Sequence, residues 1–240
     1  MEAGVAKGQG PTPGGEEPVA GARPGGRHAG HLLALGECAA GDSFSAGQDL
    51  KALAGIKDNP EEVKGFDPFA RALAAFDKPL IAAVNGAAVG VGTTMLLHCD
   101  LVYAAPNARF QLPFVPLGIV PEFGSTFLLP LIAGYQRAAQ LLLLGQPFTA
   151  QKAYEAGIVT AVVPQEELLA EAEKAAAALA ELPPESIRLT KRLMKTRYME
   201  TLAATIDEET RIFTERLSSP EAREAMTAFL EKRKPDFSRF

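Results

Sequence analysis

The sequence predicts an α/β protein, with an irregular arm over residues 1–30, a mixed core over 31–182 and a helical C-terminal module over 183–240. Three observations carry this reading. Apolar runs of strand length alternate with helical signals as far as Val163, the pattern of βαβ units. Glycine-bearing turns separate those runs. Beyond Pro164 the chain carries no glycine and reads as successive amphipathic helices.

The arm comes first. Residues 1–30 hold nine glycines and four prolines and no Leu, Ile or Phe, too little apolar surface to offset the entropy of ordering, so a loosely attached or disordered arm is expected. A short strand is read within His31-Leu-Leu-Ala-Leu-Gly36 and a loop from Cys38 to Ser43. After Asp77-Lys78-Pro79, the compact run Leu80 to Val84 predicts a buried strand ending at Asn85-Gly86. Leu101 to Ala104 and Arg109 to Leu112 read as two more strands. Pro121-Glu122 predicts a helix start, since proline suits the first turn and an acidic side chain the positive end of the dipole. Tyr135 to Leu144 is another helix. Thr149 to Gly157 reads as a short helix with a Thr N-cap and a Gly stop. Ile158 to Val163 follows as a strand, and helices are expected over Gln165 to Leu182, Pro184 to Tyr198, Leu202 to Leu217 and Pro220 to Arg233. Ile187, Leu189, Leu193 and Met194 are expected to form a buried face.

Composition narrows function. With 240 residues, 47% of them hydrophobic and 22% charged, the chain is long enough to bury a substantial core. A net charge of −5 and an isoelectric point near 5.4 lack the basic excess that a nucleic-acid partner requires. Cys38 and Cys99 make neither a disulfide framework nor a metal-ligand cluster, which predicts a reducing, cytoplasmic setting and no metal. No basic segment followed by an apolar stretch opens the chain, so no secretory leader is expected. The uncharged run from Leu80 to Leu97 approaches the length of a membrane span, but Asn85, Gly86, Gly90, Gly92, Thr93 and Thr94 favour a buried strand, turn and helix. A membrane partner is not expected.

Chemistry could sit at three glycine-bearing turns. Phe44-Ser-Ala-Gly-Gln-Asp-Leu50 and Asn85-Gly-Ala-Ala-Val-Gly-Val-Gly-Thr93 each lead towards a helix start and can present free backbone N–H groups. Two such turns facing one another would give one oxygen two donors, an oxyanion hole; each alone is also a common packing device. The third is Leu117-Gly-Ile-Val-Pro-Glu-Phe-Gly-Ser-Thr126. There Glu122 stands among apolar residues, where burial would raise its pKa towards neutrality, although the local pattern by itself favours a solvated first-turn glutamate. Ser45 and Ser125 lie outside any GxSxG, no third glycine completes a dinucleotide fingerprint at Gly90-Val91-Gly92, and no P-loop occurs. His98 reads as structural.

Phe44-Ser-Ala-Gly-Gln-Asp-Leu50, Lys78-Pro-Leu-Ile-Ala-Ala-Val-Asn-Gly86 and Cys99-Asp-Leu-Val-Tyr-Ala104 resemble the crotonase (enoyl-CoA hydratase/isomerase) superfamily, as do Thr149-Ala-Gln-Lys-Ala-Tyr-Glu-Ala-Gly-Ile-Val159 and Ala225-Met-Thr-Ala-Phe-Leu-Glu-Lys-Arg-Lys234. The resemblance runs from about residue 31 to 240. It implies a repeated ββα core with a helical trimerisation module, an acyl-CoA thioester substrate, and an enolate held by two backbone N–H groups, here of Ala46 and Val91. It implies fatty-acid, β-oxidation-type metabolism, a homotrimer or dimer of trimers, and no cofactor beyond the coenzyme A of the substrate. Hydratases of the family typically carry two glutamates at positions occupied here by Thr94 and Phe114. Val120-Pro121-Glu122 and Leu182-Pro-Pro-Glu-Ser-Ile-Arg-Leu-Thr-Lys191 instead resemble the Δ3-Δ2-enoyl-CoA isomerase branch, in which one glutamate shuttles the proton. The resemblance places Ser45, Gly47, Gly90, Pro113 and Phe114 in the substrate-binding site, and Asp49 and Leu50 beside the adenine. It places Phe229 and Lys232 at the pantetheine channel, and Phe114, Val115 and Phe123 as a water-excluding wall. Residues 1–30 show nothing of the family's opening strands or its Asn-Arg-Pro-type turn. Hydration, thioester hydrolysis and non-catalytic acyl-CoA binding stand as alternatives.

Overall fold

The computed structural model describes residues 33–36, 43–48 and 66–240. The expectations for the arm, for Cys38, and for Asp49 and Leu50 lie outside them. In chain order the described elements begin with strands β1 (Leu33–Gly36) and β2 (Ser43–Ser45), helix α1 (Phe66–Ala75), strands β3 (Leu80–Val84) and β4 (Ala87–Val89), and the one-turn helix α2 (Val91–Thr94). Strands β5 (Leu101–Ala104) and β6 (Arg109–Gln111) follow, then helices α3 (Ser125–Ala133) and α4 (Tyr135–Leu144), strand β7 (Phe148–Thr149), helix α5 (Ala150–Glu155) and strand β8 (Ala161–Val162). Four helices complete the chain: α6 (Leu168–Ala180), α7 (Pro184–Thr196), α8 (Met199–Leu217) and α9 (Pro220–Leu230).

Successive strand pairs send one member to each of two sheets. One sheet has the order β1-β3-β5-β8, parallel throughout; the other has the order β2-β4-β6-β7, with β7 antiparallel to β6. Strand β3 explains the uncharged run. All five of its residues are fully buried, with Ala82 and Val84 packed in the cluster that contains Ala88 and Phe110 of the second sheet, and Ile81 and Ala83 packed in the cluster of Leu168, Ala172 and Ala176 from α6. A strand covered on both faces has no position for a charge. Among the described residues no helix is long and apolar enough to cross a membrane.

Several sequence expectations need correction. Residues 85–93 are not a simple turn into a helix. Strand β4 intervenes, too short to show a period and defined only by its pairing with β2 and β6. Likewise Ser43–Ser45 is strand rather than loop and turn. Pro121-Glu122 does not start a helix: Phe123 and Gly124 both have left-handed φ, of 65° and 71°, so helical geometry begins only at Ser125. Strand β8 is confined to Ala161–Val162.

Helix α7 also reverses its expected face. Leu193 and Met194 are 70% and 62% exposed, while Lys191 is the buried residue of the helix. Its Nζ donates to Asp100 Oδ2 and to the carbonyl of Lys78, both at 2.6 Å, and lies over the Phe76 ring. The same Asp100 oxygen accepts from the Leu80 N–H at 2.7 Å. The ammonium thus ties α7 to the entrance of the central strand, and a buried charge that is well paired outweighs the pull of the leucine spacing. Lys191→Ala would leave the Asp100 carboxylate without its cation; because that carboxylate keeps some solvent contact, the expected loss of unfolding free energy in urea titrations is about 2–3 kcal/mol.

Candidate active site

Parallel strands β2, β4 and β6 lie side by side, and the candidate site sits where all three end. Ala46 follows β2 directly, Gly90 follows β4, and Leu112-Pro113-Phe114 follows β6. Clefts beyond the carboxyl ends of parallel strands are where backbone donors and loop side chains converge.

Two glycines let the first two turns meet. Gly47 has φ 82°, and a Cβ there would lie 2.6 Å from the carbonyl oxygen of Val89. A Cβ on Gly92 would lie 2.7 Å from Ser45 Cβ and 2.8 Å from the Ser45 carbonyl oxygen. Any larger residue at either position would push the turns apart. Gly90, with φ 56° and ψ −120°, takes a backbone conformation that side chains avoid, and its N–H donates to the Gln111 carbonyl at 2.9 Å. Val91 then opens α2, so its N–H has no acceptor within the helix. Thr93 Oγ1 donates to the Ala88 carbonyl at 2.6 Å and pins the helix to its strand.

Glu122 approaches from the loop between the short 3-10 helix Val115–Leu117 and α3. It is only 6% exposed and lines the same cavity. The Thr94 hydroxyl donates to Glu122 Oε1 at 2.5 Å, while Oε2 is buried with no hydrogen-bond partner among the described residues. Burial pushes the carboxyl pKa up to about 8; the Thr94 hydrogen bond opposes this, and the nearby Glu209 charge adds to it. A carboxyl in that state can accept a proton near neutral pH and give it back.

The cavity measures about 470 Å3, the size of a site for an organic ligand. Of the site residues named from the sequence, Ala46, Gly47, Gly90, Val91, Pro113, Phe114, Glu122 and Phe229 line it. Four residues do not. Ser45 lies behind the turn, accepting from the Gly47 N–H at 3.3 Å. Val115 faces outward, 41% exposed. Phe123 is buried away from the cavity, against Phe69 and His98, because its left-handed φ turns the chain. Lys232 also stays outside, and Arg233 and Pro235 line the cavity in its place. Sequence reasoning missed Thr210 and Phe213 on α8 and Ala225 on α9. Their three- and four-residue spacings, Thr210 to Phe213 and Ala225 to Phe229, mark single helix faces, but nothing local says that those faces meet a cavity built more than 80 residues earlier.

Burial also shifts His98 and Cys99 nearby towards their uncharged forms. Burial lowers the His98 pKa to about 4, so the ring stays neutral, with Nε2–H donating to the Phe123 carbonyl at 2.7 Å. Burial pushes the Cys99 thiol up to about 12. Among the described residues no group of three His, Cys, Asp or Glu side chains could hold a metal ion.

Comparison with known proteins agrees with this architecture. Residues 38–239 match the family described as enoyl-CoA hydratase/isomerase. The 2,3-dehydroadipyl-CoA hydratase of Escherichia coli K12 is 39% identical over 196 residues, covering 81% of this chain and 76% of its own length. Enoyl-CoA delta isomerase 2 of Rattus norvegicus is 37% identical over 199 residues, covering 81% of this chain and 51% of its own length. The crystal structure of an enoyl-CoA hydratase/isomerase from Pseudoalteromonas atlantica T6c superimposes with a TM-score of 0.79 at 41% identity, over 88% of this chain and 83% of that one. This chain is an enzyme of the enoyl-CoA hydratase/isomerase family, with the crotonase fold.

Proposed function

We propose that the enzyme moves the double bond of a 3-enoyl-CoA to the 2-position, with Glu122 as its single acid–base group. One observation carries this reading. Glu122 is the one carboxylate lining the cavity among the described residues, and the two positions where the resemblance places the glutamates of hydratases hold Phe114 and Thr94, whose hydroxyl donates to Glu122 itself. Adding water calls for a group that activates the water besides one that protonates carbon; moving a double bond calls for a base that takes a proton and returns it.

In this reading the thioester carbonyl accepts hydrogen bonds from the N–H groups of Ala46 and Val91. Glu122 takes a proton from C2, and the C–H electron pair moves into the C1–C2 bond as charge passes to the thioester oxygen. The dienolate then collapses: C2=C3 forms, the C3=C4 pair takes the proton from Glu122 at C4, and the carboxylate is restored. Loss of one oxyanion donor costs about 3–4 kcal/mol in other enzymes, the scale expected for each N–H here. Phe114 and Ile119 give the cavity an apolar wall that keeps water from the dienolate. The coenzyme A is part of the substrate, and no further cofactor enters the proposal. Trimeric assembly is proposed from the family resemblance, with the exposed Leu193 and Met194 of α7 available for it. The alternative is hydration of a 2-enoyl-CoA, which the name of the Escherichia coli relative keeps in view.

Three outcomes are expected. Glu122→Ala should lower isomerisation of a 3-enoyl-CoA by about 10³-fold or more, read by absorbance of the 2-enoyl product. Parallel assays should find little hydration of 2-enoyl-CoA; dominant hydration, or a fully active variant, would sink the reading. Second, the base must be ionised, so kcat/KM should climb with pH and level off above the pKa of about 8. The raised pKa also means that the unfolded state releases a proton the folded state retains. Stability is therefore lost as pH rises from about 5 through 8, and Glu122→Gln should melt higher than the parent at pH 8 and equally at pH 4, by calorimetry. Third, Gly92→Ala should separate the two turns and cut kcat by about 10²-fold while the protein stays folded.

A further inference from the structure

The chain immediately after Glu122 is strained. Phe123, a bulky residue, has φ 65°, and Gly124 follows at φ 71°. Left-handed backbone at a non-glycine residue persists only where its surroundings hold it, and such strain gathers at functional sites. Part of the hold comes from His98, whose Nε2–H reaches the Phe123 carbonyl, and from the Ser125 N–H, which returns to the Glu122 carbonyl at 3.2 Å.

The rest comes from a residue 85 positions further on. Glu209 of α8 is 5% exposed, and both its oxygens face this turn. Oε2 accepts from the Gly124 N–H at 2.6 Å; Oε1 accepts from the Thr126 N–H at 2.8 Å and the Thr126 hydroxyl at 2.6 Å. Gly124 is the N-cap of α3 and has no side chain with which to cap, so Glu209 supplies from another helix the acceptor that the orphaned N–H groups need. Ile206 and Leu202, one and two turns earlier on α8, pack against Gly124 so closely that a Cβ there would lie 2.3 Å from Leu202 Cδ1. Thr210, the next residue after Glu209, lines the cavity. One turn of α8 therefore touches the substrate space with Thr210 and grips the turn that carries the base with Glu209.

We propose that Glu209 is a positioning residue: its carboxylate clamps the Gly124–Thr126 backbone and so aims Glu122 at the substrate. The assignment rests on Glu122 being the base. In support, the donors are two backbone N–H groups and one hydroxyl, and a charged acceptor makes such bonds short and directional. The clamp acts on the two peptide units that follow the strained residue, where a loosened turn would swing the Glu122 side chain.

The test compares Glu209→Gln with Thr126→Val in the full-length enzyme. An amide keeps one acceptor but turns an N–H towards the Gly124 N–H, so Glu209→Gln should lower kcat for 3-enoyl-CoA isomerisation at least about tenfold with KM changed less than about twofold. Thr126→Val removes one of the three bonds and leaves the buried carboxylate in place, and should lower kcat about two- to fivefold. Added to Glu122→Gln, the Glu209→Gln change should reduce the residual rate no further, and the Kd for butyryl-CoA should stay constant. A merely structural cap predicts the opposite, an equal loss in both backgrounds with weakened butyryl-CoA binding, and that result overturns the proposal. If Glu209→Gln does not fold, an unchanged kcat in Thr126→Val overturns it as well. A dead Glu122→Gln enzyme beside an unaffected Glu209→Gln enzyme overturns this assignment alone. A fully active Glu122→Gln enzyme overturns the single-base reading and this assignment with it.

Discussion

Everything at the site depends on how closely two strand-end turns approach each other. The backbone leaving β2 and the backbone leaving β4 touch through Gly47 against Val89 and Gly92 against Ser45, at distances that admit no side chain. Because β2 and β4 are neighbours in one parallel sheet, their carboxyl ends are already side by side, and the glycines convert adjacency into contact. Val91, at the first position of a one-turn helix, then presents an N–H that the helix itself cannot use. Donors fixed in this way need no reorganisation when charge appears on an oxygen between them, which is where most of the benefit of such a site lies.

The second constraint is the burial of Glu122. A carboxyl shut away from water holds its proton to an unusually high pH, and the Thr94 hydroxyl is the donor it is given there. That hydroxyl favours the ionised form while the apolar surroundings favour the neutral one, so the group sits between the two states that a proton shuttle must alternate between. Its backbone is held from a distance. His98, neutral and buried, and the buried Glu209 hold Phe123, Gly124 and Thr126 by hydrogen bonds that span 25 and 83 to 85 residues of chain. The C-terminal helices thus do more than close the fold: α8 and α9 wall the cavity, and α8 also grips the turn that follows Glu122.

A buried ion pair fixes the place of α7 in the same economical manner. Lys191 reaches Asp100 and the Lys78 carbonyl at the entrance of β3, and the leucine and methionine residues that set the helical period are left on the outer face. The periodicity marks a helix but not its buried face, since hydrophobic spacing reports amphipathicity and does not say which side has a partner inside one chain.

What the sequence determined by itself is local. Tyr135–Leu144 came out with the bounds expected, Thr149 caps α5 through the Lys152 N–H, and β3 was legible because five consecutive apolar residues after Pro79 have few alternatives. The family motifs around Ala46, Val91 and Glu122 were legible for the same reason, as short contiguous strings. Tertiary structure decided what depends on meetings between distant segments. Strand β4 exists only by pairing, Glu122 lies outside α3 because Phe123 and Gly124 turn left-handed, and the cavity gains Thr210, Phe213 and Arg233 from helices and tail far along the chain. Hydrogen bonds and van der Waals contacts act over a few ångströms of space, whatever the separation in sequence. Local pattern therefore specifies elements and motifs, and only the packed chain specifies which of their side chains share a site.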